Sequence, residues 1–337
     1  MKKKLAYFLG SILLLLYIVE IIGIKDIVIT VLSLDYRVIV LAFIIAFLWS
    51  VLGCFKWSIL LVQIKKIYVS KLLPVYFSGE LFNALTPGAK TGGEVVKAHY
   101  TSKLFSIPQS KVYATILLDK SILMAVFFVM LILTSIYTVL FLEIPSVVTG
   151  IFRASVGLVF LLSAVIILVN QKYWKRKHEL LFSFLNFIYH LRFLEFIKRR
   201  FETYKIFEDF IMGTFSEFFE SFSLLLEHKK GVFTNAVLSV VMFFLSFARA
   251  WVLFLGLGYE IDIVLIIVVV TLGSAISYMM LTPGGAGVTE IALISLYVAV
   301  GVDPDVAAIV ALVDRGMYYL SSFGLGYVAV VYLKFKK

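Results

Sequence analysis

The sequence predicts an all-α, polytopic membrane protein of about eight transmembrane helices, with two Pro/Gly-broken, re-entrant-like motifs that form an internal repeat. Three observations carry that prediction. Hydrophobic residues fill 62% of the chain and charged residues only 15%, and the mean hydropathy of +1.03 lies far outside the range of soluble domains. Apolar runs reach the roughly 20 residues that a bilayer core demands, and none alternates with the period of two expected of a β-barrel strand. Residues 85–94 read Leu-Thr-Pro-Gly-Ala-Lys-Thr-Gly-Gly-Glu and residues 281–290 read Leu-Thr-Pro-Gly-Gly-Ala-Gly-Val-Thr-Glu, so each copy places a Glu after the same interval.

Taken in order, the apolar runs place spans near 5–24, 38–64, 112–140, 153–169, 232–256, 263–281, 284–302 and 306–333. The first follows Met1-Lys2-Lys3-Lys4. It reads as a span rather than a cleaved leader, because the run is long, lacks a small-x-small site and contains Glu20. Lys65, Lys66, Lys71, the many bases through 172–230, and Lys334, Lys336 and Lys337 then fall on one side, so both termini are expected in the cytoplasm of a multi-pass cell-membrane protein. The organisation is an N-terminal membrane half (1–170), a cytoplasmic amphipathic segment (171–230) and a C-terminal membrane half (231–337). The formal charge of +10 is explained by this orientation and does not call for nucleic acid.

The stretch 70–111 is too polar to cross and too apolar for an ordinary loop. Its reading is re-entrant, with a cytoplasmic loop carrying one surface helix as the alternative. Within 171–230, Phe182, Leu185, Phe193, Phe196, Phe207 and Phe210 alternate with charges at helical pairing distance, which predicts a helical hairpin on the inner face with a bend at Gly213. A solvated linker is the competing reading.

The candidate site consists of the two motifs and the charges downstream. Pro87 and Pro283 each remove a backbone donor, while Gly88, Gly92, Gly93, Gly284, Gly285 and Gly287 permit unusual dihedrals, so helices should stop and restart beside Thr86 and Thr282. A helix that restarts inside a membrane offers free N–H groups and a positive dipole end to a phosphate or carboxylate. Glu94 and Glu290 follow, then Asp119-Lys120 after 25 residues and Asp314-Arg315 after 24. Charges inside spans are costly and must face one another or a cavity. Adjacent helical residues point about 100° apart, so each Asp-base pair needs partners elsewhere; Asp314 with Lys120, or Asp119 with Arg315, is the expected cross-pair. Kinked packing and a structural ion pair are the plain alternatives to a substrate role. Glu94 and Glu290 are also candidate proton carriers.

No metal or cofactor is expected. His99, His178, His190 and His228 lack ligand spacing, the single Cys54 allows no intrachain disulfide, and residues 88–91 lack the glycine spacing of a phosphate loop.

These motifs, from Thr86-Pro87-Gly88 through Asp314-Arg315 and the following Tyr318-Tyr319, resemble the flippase-like integral membrane proteins related to the transmembrane region of lysylphosphatidylglycerol synthase. The resemblance covers essentially the whole chain. It implies about eight helices and the movement of a phospholipid or lipid-linked amphiphile between leaflets, without naming the cargo. In full synthases an aminoacyl-transfer domain follows; this chain ends at Lys337, so a transport role is expected rather than an enzymatic one. Lys120 stands where many relatives are expected to carry Arg, which keeps the charge and loses bidentate geometry. Two rivals are a membrane enzyme acting on a lipid headgroup or carrier, and an accessory subunit of a separate lipid-modifying enzyme.

Overall fold

The computed structural model describes residues 35–86, 92–141, 150, 204–279 and 282–335. The expected spans 5–24 and 153–169, most of the predicted hairpin in 171–203, and Pro87, Gly88 and Leu281 of the motifs lie outside them. Every regular element among the described residues is helical. Four reach across: α1 (Tyr36–Leu61), α4 (Gln109–Phe141), α6 (Lys229–Gly256), and α9 (Pro304–Tyr319) continuing through a π-helical turn at Leu320–Leu325 into α10 (Gly326–Phe335). Each carries a stretch long and apolar enough to cross a membrane. Their outer faces expose Val40, Leu41, Ile44, Leu133 and Phe244, as a lipid-facing surface requires. Their contacts use small residues, such as Ala42 and Ala46 on α1 and Ala307, Ala308 and Ala311 on α9, which let helices approach where hydrophobicity alone gives no drive to associate.

Helix starts follow local chemistry. Asp35 caps α1 by accepting from the Arg37 N–H, and Asp303 caps α9 by accepting from the Asp305 N–H ahead of Pro304. Thr86 and Thr282 are both extended (φ −96°, ψ 135° and φ −73°, ψ 148°), as the residue before a proline must be.

α1 and α6 run antiparallel, with Gly256 against Val38 at one end and Asn235 bonded to the Lys56 carbonyl toward the other. Call the end where α1 begins the near end, and the end where it finishes the far end. The helices α2 (Val69–Leu85) and α3 (Gly92–Phe105) leave and return at the far end. Lys65 donates to the Phe105 carbonyl there, and Leu61, Leu72, Ile107, Val112 and Leu333 share one core cluster. The segment 70–111 is thus a helical hairpin packed inside the bundle, not a loop with one surface helix.

The helices α7 (Ile263–Met279) and α8 (Val288–Ala299) form the opposing hairpin. Both its ends lie at the near end, where the Asp303 N–H donates to the Tyr259 hydroxyl. This corrects the expectation that 263–281 and 284–302 are two separate crossings. The turn between them is a 3-10 segment, Pro283–Gly285, buried in the bundle. A Cβ on Gly284 would sit 3.2 Å from the Ala84 carbonyl oxygen, so the tips of the two hairpins meet. Depth agrees: Lys120 lies eleven residues into α4 from the far end and Arg315 eleven into α9 from the near end, ~16 Å each at 1.5 Å per residue.

The helix α5 (Tyr204–Glu227) runs unbroken through Gly213, so the expected bend is absent. Helix formation there is set by its apolar stripe rather than by one glycine, because Phe218, Phe222 and Leu225 pack on Leu60, Ala114, Leu118 and Ile122. The Ser110 hydroxyl donates to Glu217, which also faces Lys111 at 3.8 Å. The described part of the central segment is docked along the start of α4.

Candidate functional site

Around the first tip, α2 ends when the Thr86 hydroxyl donates to the Phe82 carbonyl at 2.6 Å. The next helix starts with Gly92, which lies under the Thr86 side chain, and with Gly93, where a Cβ would collide with the Gly79 carbonyl and with Asn83. That absence of a side chain lets α3 close on α2. The Gly93 N–H, one of the orphan donors of a helix start, is satisfied by the Asn83 Oδ1 at 2.9 Å. Asn83 Nδ2 donates to Glu94 at 3.3 Å, and the same Glu94 Oε1 meets Lys120 at 3.0 Å and Lys97 at 3.6 Å. Lys97 continues to Glu80 at 3.3 Å and lies over the Tyr76 ring at 4.3 Å. Two carboxylates and two ammonium groups thus make a neutral network between α2, α3 and α4.

Asp119 points away from this network. It accepts from Lys56 at 2.8 Å and from Asn235 at 2.7 Å, joining α4 to α1 and α6.

At the second tip Gly284, Gly285 and Gly287 adopt φ of 61°, 74° and 83°, the left-handed region that a residue with a Cβ enters at a cost. The turn aims the Gly284 carbonyl at Arg315, whose Nη2 donates to it at 2.7 Å. Arg315 Nε meets Glu290 Oε1 at 3.2 Å, Nη2 also reaches the Tyr319 hydroxyl at 3.2 Å, and that hydroxyl donates to Glu290 at 2.8 Å. The guanidinium lies 4.6 and 5.1 Å from the ring centres of Tyr318 and Tyr319. Asp314 is held separately by Arg249 in a two-point contact of 2.5 and 3.1 Å.

The expected cross-pairs are therefore corrected. Asp314 does not meet Lys120, nor Asp119 Arg315; each Asp takes a base from a long helix of its own half, Lys56 or Arg249, while each following base takes the Glu of its own motif. The reason is the 100° step noted above, which sends neighbours on one helix to different faces. Lys56, Glu80, Asn83, Lys97 and Asn235 contact the candidate residues and were not among the sequence candidates, while Tyr319 enters the sequence reading only through the motif of the resemblance. A signal existed for the first: Lys56 is a lone base in an apolar run, and such a charge needs a partner.

Between α6, α7, α8 and α9 lies a cavity of about 120 Å³, bordered by Ser246, Ser277, Thr289, Arg249, Asp314 and Arg315. It has room for several waters. The hydroxyls of Ser277, Thr289 and Thr282, and Glu290 Oε2, are buried without a hydrogen-bond partner among the described residues. Hydroxyl donors beside the start of α8, with a guanidinium opposite, can donate to an oxyanion, whereas Glu290 Oε2 would repel one and calls for a donor such as water. Among the described residues no three His, Cys, Asp or Glu side chains cluster as metal ligands.

Residues 5–326 match the family model described as "Lysylphosphatidylglycerol synthase TM region". A UPF0104 membrane protein of Methanocaldococcus jannaschii is 27% identical over 335 residues, covering 96% of this chain and 93% of the relative. One from Pyrococcus horikoshii is 27% identical over 322 residues (94% and 92%), and one from Methanothermobacter thermautotrophicus 25% over 298 (87% and 85%). No solved structure matches the chain.

Proposed function

Since the chain belongs to the Lysylphosphatidylglycerol synthase TM region family of membrane proteins, we propose that it carries a phospholipid or related anionic amphiphile between the leaflets of the cell membrane, with both termini cytoplasmic. The observation that carries the reading is the meeting of two half-crossing hairpins that enter from opposite ends, Gly284 lying against Ala84. Transporters built from inverted repeats place broken helices in this way, with half-helix ends turned to an anionic group near the midplane. The pairing supports a repeat of inverted sense. Lys56–Asp119 and Glu94–Lys120 in the first half correspond to Arg249–Asp314 and Glu290–Arg315 in the second. An anion entering the midplane would be met by Lys120, Arg315 and the starts of α3 and α8 in place of water. No nucleotide motif occurs in the sequence, so movement is passive or ion-coupled.

The saturation of the ion pairs favours a second reading, in which the charges only tie the bundle together and the chain serves as an accessory subunit to a lipid-modifying enzyme. Purified protein in vesicles of phosphatidylcholine and phosphatidylglycerol separates the two. Transport requires that a tail-labelled phosphatidylglycerol in the inner leaflet become reducible by external dithionite; labelled lipid that stays protected, with no chemically altered product, supports the accessory role. A converted lipid would instead support an enzyme.

A further inference from the structure

We propose that the groove between α2, α3 and α4 is the lateral port by which a membrane lipid with an anionic headgroup reaches the Glu94–Lys120 pair, an inference that rests on the transport reading above. The groove is open to its surroundings and holds about 430 Å³, large enough for a phosphate with a glycerol-sized substituent. Its chemistry is graded. Phe82, Val95 and Val96 line it next to Glu94, and His99, Gln109 and Tyr113 line it toward the far end, where α3 finishes and α4 starts. Spacings of three and four residues put Gln109, Tyr113, Leu117 and Lys120 on one face of α4, so a track of polar side chains, interrupted by Leu117, leads from the far end to the partly exposed Lys120 ammonium.

Two exposures decide the direction and the occupant. The Lys120 side chain is 34% exposed, whereas Lys56, Lys97, Arg249 and Arg315 are between 2% and 13%. The base of the first motif is thus the more approachable of the two. Beside the track, Val95 is 58% and Leu117 48% exposed. An apolar rim on an embedded helix pair lies against acyl chains, so a headgroup can travel the polar track while its tails remain in the bilayer. A soluble anion would gain nothing from that rim.

The test uses the full chain in phosphatidylcholine vesicles with a minority of phosphatidylglycerol. A photocrosslinking benzoylphenylalanine replaces Val95, with Phe244, an exposed residue of α6, as the control position. Capture of phosphatidylglycerol at position 95 should exceed its share of the bilayer about fivefold, the equivalent of one well-placed charge contact at a partly exposed site. Capture at position 244 should follow bulk composition, and added glycerol phosphate should not compete. The plug Gln109→Trp, which touches none of the ion pairs, should lower both capture and translocation about fivefold while leaving Tm unchanged. Unselective capture at position 95 overturns the port, as does competition by glycerol phosphate, which would mark a soluble anion as the occupant. Selective capture without translocation leaves the port standing and sinks the transport reading; translocation with unselective capture does the reverse.

Discussion

Replacing Arg315 removes more than one bond, and the structure gives the size of the loss. Its guanidinium holds the Gly284 carbonyl, the Tyr319 hydroxyl and Glu290, and Glu290 is only 1% exposed. Arg315→Ala leaves that carboxylate buried with Tyr319 as its one remaining donor among the described residues, which should cost about 3–5 kcal/mol. Arg315→Lys keeps the charge, but one ammonium on a flexible stem cannot span the carbonyl, the hydroxyl and the carboxylate in the geometry of a planar fork. It should recover about half of the loss. Adding Glu290→Gln to the Ala variant removes the stranded charge and should return the protein to within about 1–2 kcal/mol of the parent. The assay is detergent-solubilised thermal unfolding of the four proteins, read by intrinsic fluorescence. The reasoning fails if the double variant melts no higher than Arg315→Ala, because Glu290 would then not be the charge that Arg315 compensates.

Three further outcomes are expected. Gly93→Ala should destabilise by about 1–3 kcal/mol, the usual range for overpacking, since its methyl group meets the Gly79 carbonyl in the α2–α3 contact; Gly213→Ala on the open face of α5 should be neutral or slightly stabilising in the same melt. Arg249 and Asp314 should show a double-mutant coupling of at least about 1 kcal/mol in thermal unfolding, because the pair is two-point and mostly buried; a coupling near zero would contradict the described contact. In a Cys54→Ala background, cysteine at Ser216 on α5 should react with an impermeant thiol reagent only after cells are permeabilised. Cysteine at Glu260, in the near-end loop, should react in intact cells, and labelling of both from one side would overturn the topology.

Much of this was legible because charges are scarce in the chain. A Pro-Gly break followed by a Glu, and an Asp-base pair one helix later, stand out against apolar runs, and the structure brings Glu94 to Lys120 and Glu290 to Arg315. The remaining pairing was not legible, because spacing along one helix says which side chains diverge but not which neighbouring helix lies beside them. Lys56 and Asn235 are recognised as partners of Asp119 only once α1, α4 and α6 are packed. The hairpin α7–α8 was misread for a related reason. Hydropathy registers an apolar stretch and is blind to direction, so a helix that turns back at Pro283 scores like one that crosses; the twelve residues of α8, well short of the ~20 of a full span, are the sign that it returns.

Tying the two tips together tests the central claim most directly. Gly284 and Ala84 are the points of contact: a Cβ on Gly284 would lie 3.2 Å from the Ala84 carbonyl oxygen and 3.5 Å from the Ala84 Cα, so cysteines at the two positions lie within the span of a short bifunctional thiol reagent. With Cys54 replaced by Ala, the pair Ala84→Cys and Gly284→Cys should be joined within one chain by a short, reducible bis-methanethiosulfonate reagent. Translocation of tail-labelled phosphatidylglycerol in vesicles should then stop and return on reduction. Failure to cross-link, or cross-linked protein that moves lipid at the reduced protein's rate, would contradict a transport path through the meeting of the two hairpins.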